Sequence, residues 1–177
     1  MMKLAKIAAS AFAVASVVLS AGIASAQTTA NIPPKGLTGS YIGAGVGAGV
    51  TDGGRQNDAA TFGGNVQGRY ALPNAPVSLR GAVLFGGDST AIMPMLTYDA
   101  PIAKNTNVYF GGGYSFQTDE GKASQLGNQN TPVVTLGVES EVAKNVVIYG
   151  DAKWGIDAYK DSNADAISLQ TGLGYRF

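Results

Sequence analysis

Residues 166–177 read AISLQTGLGYRF and split cleanly at a period of two. Ile167, Leu169, Thr171, Leu173, Tyr175 and Phe177 fall on one face, and Ser168, Gln170, Gly172, Gly174 and Arg176 on the other. Such alternation marks a half-buried strand, in a soluble sheet as well as in any other. The apolar face ends in two aromatics, Tyr175 and Phe177, as an aromatic girdle at a membrane interface does. A membrane strand makes sense only if the rest of the chain repeats the pattern.

From Tyr41 onward it does, seven times more. Ile42, Ala44, Val46, Ala48 and Val50 oppose Tyr41, Gly43, Gly45, Gly47 and Gly49. Phe62, Val66, Tyr70 and Leu72 oppose Thr61, Asn65, Gln67 and Arg69. Val77, Leu79, Val83 and Phe85 oppose Ser78, Arg80 and Ala82, and Ile92, Pro94, Leu96 and Tyr98 oppose Met93, Met95, Thr97 and Asp99. Val108, Phe110, Tyr114 and Phe116 oppose Tyr109, Gly111, Gly113 and Ser115. Val134, Leu136 and Val138 oppose Thr135, Gly137, Glu139 and Glu141; Ile148, Ala152, Trp154 and Ile156 oppose Tyr149, Asp151, Lys153 and Asp157.

Charge decides which face is which. Arg69, Arg80, Asp99, Glu139, Glu141, Asp151, Lys153, Asp157 and Arg176 all lie opposite the apolar set, and no charge interrupts it. A soluble barrel keeps apolar residues inside and polar ones out. Here the polar side is too rich in glycine to be a solvent surface, so the apolar side faces lipid and the charges face a lumen. The 177 residues less a 26-residue leader leave about 19 for each of eight strands with its connection, against the ~9–11 that a transmembrane strand needs. Connections alternate: long at 51–60, 117–130 and 157–166, short at 73–76 and 143–145, with 86–89 short for an outer loop. Long loops outside and short periplasmic turns is the outer-membrane arrangement. Pro94 would break a central ladder and marks an expected bulge in the fourth strand.

The N-terminus reads as a secretory leader over 1–26. Lys3 and Lys6 form its basic start, Ile7 to Leu19 its apolar run, and Ala24-Ser25-Ala26 its cleavage site. As a membrane anchor the run is too short, since a span needs ~20 predominantly apolar residues. Residues 27–38 (QTTANIPPKGLT) read as an extended periplasmic lead-in and 39–177 as the barrel. Without Lys3 and Lys6 the chain has 10 basic and 12 acidic residues, a net charge of −2. That balance gives nucleic acid no basic face to bind. The chain has no cysteine and no histidine, which removes disulfides, thiolate metal sites and the usual general base of neutral-pH catalysis. Gly43, Gly45 and Ala48 match G-x-G-x-x-A, but a turn at Thr51-Asp52-Gly53-Gly54 follows where a nucleotide fingerprint needs a helix.

The chain resembles the small eight-stranded outer-membrane barrels of the OmpA/OmpX type. The resemblance rests on the patterning from Tyr41 to Phe177, on TYDAPI (97–102), YGDAKWG (149–155) and the terminal TGLGYRF. It implies an all-β, antiparallel up-and-down transmembrane barrel in the outer membrane of a Gram-negative-type bacterium, a monomer set among lipid and lipopolysaccharide. It further implies that Tyr175 and Phe177 act as a C-terminal signal to the barrel-assembly machinery. Larger relatives append a peptidoglycan-binding domain; this chain ends at the barrel, so no cell-wall anchoring is expected.

Eight strands enclose a lumen just wide enough for side chains to fill. An unpaired buried charge costs several kcal/mol, so Arg69, Arg80, Asp99, Glu139, Glu141 and Arg176 near the periplasmic end, with Asp151 and Lys153 above them, are expected to pair across it. That network would close the barrel and leave it a structural or surface-interaction role. The second reading is a narrow porin-like channel for water, ions or very small solutes along Gly43, Gly45, Gly47, Gly49, Gly111, Gly113, Gly172 and Gly174. No catalytic, cofactor or metal residue is assigned. The loop charges Asp52, Asp58, Asp88, Asp119, Glu120, Asp161 and Asp165, with Arg55, Lys122 and Lys160, are solvated or meet lipopolysaccharide or an extracellular partner.

Overall fold

In lipid, a sheet edge exposes backbone donors and acceptors that nothing can satisfy, so alternating strands must close on themselves. The computed structural model describes residues 35–51, 61–160 and 162–177. The leader, most of the lead-in, and Asp52, Arg55, Asp58 and Asp161 lie outside the described residues. Eight strands follow in order: β1 (Tyr41–Gly49), β2 (Phe62–Ala71), β3 (Val77–Phe85), β4 (Ala91–Ala103), β5 (Thr106–Gln117), β6 (Thr131–Ala143), β7 (Val146–Gly155) and β8 (Ala166–Arg176). Each pairs antiparallel with its neighbours, and β1 pairs with β8, which closes an up-and-down barrel.

Every strand keeps its two faces, but Asp157, expected at the inward end of the seventh, lies beyond β7 in a turn with φ 53° and is exposed. Ile42, Phe62, Leu79, Leu96, Phe110, Leu136, Trp154 and Leu173 are exposed on the outside, while Arg69, Arg80, Asp99, Glu139, Asp151 and Lys153 are buried inside. Connections are short at one end, with Lys104-Asn105 between β4 and β5 and Lys144-Asn145 between β6 and β7. Asn74 and Asn145 take positive φ values of 60° and 64° in the short turns, where an Asn side chain tolerates the left-handed region better than most.

The bulge expected at Pro94 is elsewhere. Pro94 sits opposite Gly81 in regular register with β3. Towards β5 the pairs are Ile92 with Phe116 and Met95 with Gly113; the ladder passes over Met93 and Pro94, because proline has no N–H to give. The bulges fall instead near the short turns, between Pro101 and Ala103 and between Glu141 and Ala143.

Inside, tyrosine and glycine are complementary. Tyr41, Tyr109 and Tyr149 are fully buried in the lumen, and Tyr41 stacks on Tyr149 with ring centroids 6.0 Å apart. A Cβ at Gly43 or Gly172 would meet Tyr149, one at Gly174 would meet Tyr41, and one at Gly137 would meet the Tyr109 ring and Asp151. Gly81, on the lipid side, has nothing within 4 Å of where a Cβ would stand. Gly137→Ala is therefore expected to destabilise the barrel by about 1–3 kcal/mol through overpacking. Gly81→Ala should stay within about 0.5 kcal/mol of the parent. Urea unfolding in lipid or detergent, followed by tryptophan fluorescence, measures both.

Candidate functional site in the barrel lumen

The pairing of β2 with β3 places Arg69 directly opposite Arg80. Two like charges facing each other across a ladder repel, so the arrangement needs carboxylates on both sides. Asp99 on β4 and Glu139 on β6 supply them. Arg69 lies 2.9 Å from Asp99 and 3.0 Å from Glu139; Arg80 lies 2.9 Å from each. The result is a closed ring of alternating sign with no net charge, all four side chains at most 5% exposed.

Neighbouring groups satisfy the remaining donors and acceptors. Arg69 Nε donates to Ser78 Oγ at 2.9 Å and Arg80 Nε to Thr97 Oγ1 at 2.9 Å. Ser78 donates to Asp99. Glu139 accepts from the Tyr41 hydroxyl at 3.1 Å and from Asn107 Nδ2 at 3.1 Å. The Arg80 guanidinium also lies 3.6 Å over the centre of the Tyr109 ring, a cation–π contact strengthened by the absence of bulk water.

A second group sits above the ring. Lys153 pairs with Asp151 and donates to Gln67 Oε1 at 3.3 Å. The Tyr109 hydroxyl donates to Asp151 at 2.7 Å, and the Tyr149 hydroxyl to Asn65 Oδ1 at 2.6 Å. Gln67 Nε2 reaches the hydroxyls of Tyr41 and Tyr109 at 3.3 and 3.4 Å, which joins this layer to the ring below. Arg176 and Glu141 stand apart from both layers: they pair at 2.9 Å at the rim, where Arg176 is 28% exposed.

The glycines read as a water path have their space taken. Tyr149 fills the room at Gly43 and Gly172, Tyr41 at Gly174, and Gln125 at Gly47 and Gly49; Gly45, Gly111 and Gly113 lie against backbone of the neighbouring strands. The lining is also less uniformly polar than the alternation suggests. Towards the long loops Ala82, Leu84, Ala91, Met93, Met95, Leu126, Val133 and Ala166 form a buried apolar cluster. Leu84, Val133 and Val147 are inward by the same alternation that places Arg80, Glu139 and Asp151, although their apolar character gives no sign of it.

Segments that are not strands enter both mouths of the barrel. Gln125, from the β5–β6 loop, donates through Nε2 to the carbonyls of Gly64 and Phe85, both at 2.9 Å, and Leu126 beside it is fully buried. At the other end, residues 35–38 of the expected lead-in turn under the barrel and bury Leu37. Asn107 grips the Leu37 peptide twice, its Oδ1 accepting the N–H at 3.0 Å and its Nδ2 donating to the carbonyl at 3.0 Å. Arg69 donates to the same carbonyl at 3.3 and 3.4 Å. The loop charges are outside: Lys122 pairs with Asp119 at 3.7 Å and Lys160 with Glu120 at 3.4 Å, all about half exposed, and Asp88 and Asp165 are likewise outside the lumen groups.

Removing one corner of the ring strands a buried charge. Arg80→Met is expected to cost about 3–5 kcal/mol, and Arg80→Met with Glu139→Leu appreciably less. Arg176→Gln, at the wetted rim, should cost under about 1 kcal/mol. Denaturant midpoints of the three variants, taken in the same detergent, order them.

The fold has counterparts among known barrels. A barrel from the de novo design of transmembrane β-barrels superposes with a TM-score of 0.55 at 15% identity, over 82% of this chain and 100% of the other. Neisserial surface protein A gives 0.54 at 17% identity, over 79% and 98%. The attachment invasion locus protein Ail of Yersinia pestis, solved with the heparin analogue sucrose octasulfate, gives 0.49 at 18% identity, over 78% and 97%. No curated protein matches the sequence. Residues 13–177 match the family described as outer membrane protein beta-barrel domain, and the chain, a closed eight-stranded barrel with a lipid-facing exterior, belongs to that family.

Proposed function

We propose that this outer-membrane barrel is a closed structural scaffold that presents its long loops at the cell surface, of the OmpA/OmpX kind, and that it does not conduct solutes. The observation that carries this reading is the neutral ring of Arg69, Asp99, Arg80 and Glu139 across the lumen. Leu37 below it and Gln125 with Leu126 above it support the same reading. A channel needs a gap beside the lumen glycines, and tyrosine and glutamine side chains occupy several of those places. Catalysis is not part of this function: the ring carboxylates are engaged by guanidinium groups, and the chain has no histidine.

The leader at 1–26 directs export, and Tyr175 and Phe177 present the closing strand to the assembly machinery. The loops meet lipopolysaccharide or an extracellular partner, and the barrel works as a monomer. The purified protein in a planar bilayer is expected to show no steady conductance. Sustained openings, abolished by a bulky residue at Gly47, would overturn the closed-scaffold reading in favour of a narrow channel.

A further inference from the structure

Two short hairpins share a phrase, a β-branched aliphatic residue followed by Ala-Lys-Asn. Ile102-Ala103-Lys104-Asn105 joins β4 to β5, and Val142-Ala143-Lys144-Asn145 joins β6 to β7. Each has its bulge at the same place, just before the turn. Ile102 and Val142 stay on the lipid side of their strands, in step with Leu96 and Leu136, and are 49% and 60% exposed. Two residues on, a lysine stands exposed at the tip of each turn. An aliphatic side chain in the lipid with a lysine at headgroup height is the composition of an interfacial anchor.

A third lysine joins them. The grip of Asn107 and Arg69 on Leu37 holds the preceding residues against the β4–β5 hairpin, where the Gly36 N–H donates to the Ala103 carbonyl at 3.2 Å. Lys35 is therefore held beside the hairpin that carries Lys104. That hairpin is tied in turn to the end of β6, with the Glu141 N–H donating to the Asn105 carbonyl at 3.0 Å. Glu141, the nearby carboxylate on β6, is paired with Arg176 instead: its Oε1 lies 2.9 Å from the guanidinium and accepts the Asn145 N–H at 2.9 Å. Among the described residues, Lys35, Lys104 and Lys144 form no ion pair, and the β2–β3 turn, Pro73-Asn74-Ala75-Pro76, carries no charge. The cationic groups thus occupy one arc of the rim.

We propose that Lys35, Lys104 and Lys144 form a headgroup site for anionic phospholipid in the leaflet that faces the periplasm. The ligand class is a lipid phosphodiester with net negative charge. Three lysines without carboxylate partners supply the attraction, and Ile102 and Val142 lie against its acyl chains. Basic residues at an anionic membrane surface each add about fivefold to association. The inference rests on the orientation in which short turns face the periplasm, and it is independent of whether the lumen conducts.

The test reconstitutes the purified barrel in nanodiscs of phosphatidylcholine mixed with phosphatidylglycerol and counts retained lipids by native mass spectrometry after extraction. The parent should retain phosphatidylglycerol several-fold over phosphatidylcholine. The triple variant K35Q/K104Q/K144Q should lose that preference, and K35R/K104R/K144R should keep it. Heat-modifiable migration confirms a closed barrel in each; should the triple glutamine variant fail to close, K104Q and K144Q singly are expected to show a partial loss. Undiminished preference in the glutamine variants, or no preference in the parent, overturns the proposal. Glycerol 3-phosphate added in solution should not displace the lipid. If it does so at equal concentration, the site belongs to a soluble anion and the membrane assignment fails. A conducting barrel that still retains phosphatidylglycerol would sink the closed-scaffold reading and leave this one standing.

Discussion

Two guanidinium groups cannot face each other across neighbouring strands inside a protein unless something holds them there. Arg69 and Arg80 do so, and the ring they form with Asp99 and Glu139 joins β2, β3, β4 and β6 at one level of the barrel. Tyr41 and Asn107 extend it to β1 and β5. The ring ties together strands that are not hydrogen-bonded neighbours, a role the backbone ladder cannot perform. It also works only in a closed, dry cylinder, since the same charges in water would gain little from pairing. Closure of the sheet and pairing of the charges therefore depend on each other.

The ring explains how the lumen is layered. Short turns at one end leave no loop residues to fold inwards, so strand side chains fill that half, and polar groups there can satisfy one another across the narrow diameter. Leu37 completes the layer by offering a carbonyl to Arg69 and a whole peptide group to Asn107. At the other end the long connections supply material of their own. Leu126 enters the apolar cluster, and the Asn128 N–H donates to the Ala158 carbonyl at 2.9 Å, which fastens one long loop to another. Polar filling from the strands meets apolar filling from strands and loops at the level of Asp151 and Lys153.

Much of this was legible in the chain. A period of two is a strict code for which face a residue takes, so the eight strands and the inward placing of Arg69, Arg80, Asp99 and Glu139 followed from alternation and charge. Partnership did not follow. Period gives a face but no neighbour, and the separation of Arg176 and Glu141 from the central ring depends on height in the barrel, which register sets. In runs such as Val83-Leu84-Phe85 and Val133-Val134 composition alone does not tell the faces apart, and only the parity of the charged residues on the same strand assigns Leu84 and Val133 inwards. Leu37 and Gln125 lie in segments with no periodicity at all. Their placement comes from hydrogen bonds to residues about 70 and 40–61 positions away, and no local pattern encodes such a reach.

The lumen glycines have to be considered together with their neighbours across the barrel. A run of small residues facing inwards looks like empty space when each strand is considered alone. In a cylinder of eight strands the facing wall is close, and every inward tyrosine needs a gap opposite or beside it. Tyr41, Tyr109 and Tyr149 were identifiable as inward residues by the same alternation that placed Gly43, Gly137, Gly172 and Gly174. Large and small inward residues must then be counted together, because a core packed at ordinary protein density leaves few voids. The ring of Tyr149 meets two of those glycines, on β1 and on β8. At Gly43, Gly137, Gly172 and Gly174 tyrosine rings occupy the space that a Cβ would need, and the conformational freedom that glycine costs the strands is offset by aromatic packing that no larger residue at those positions would permit.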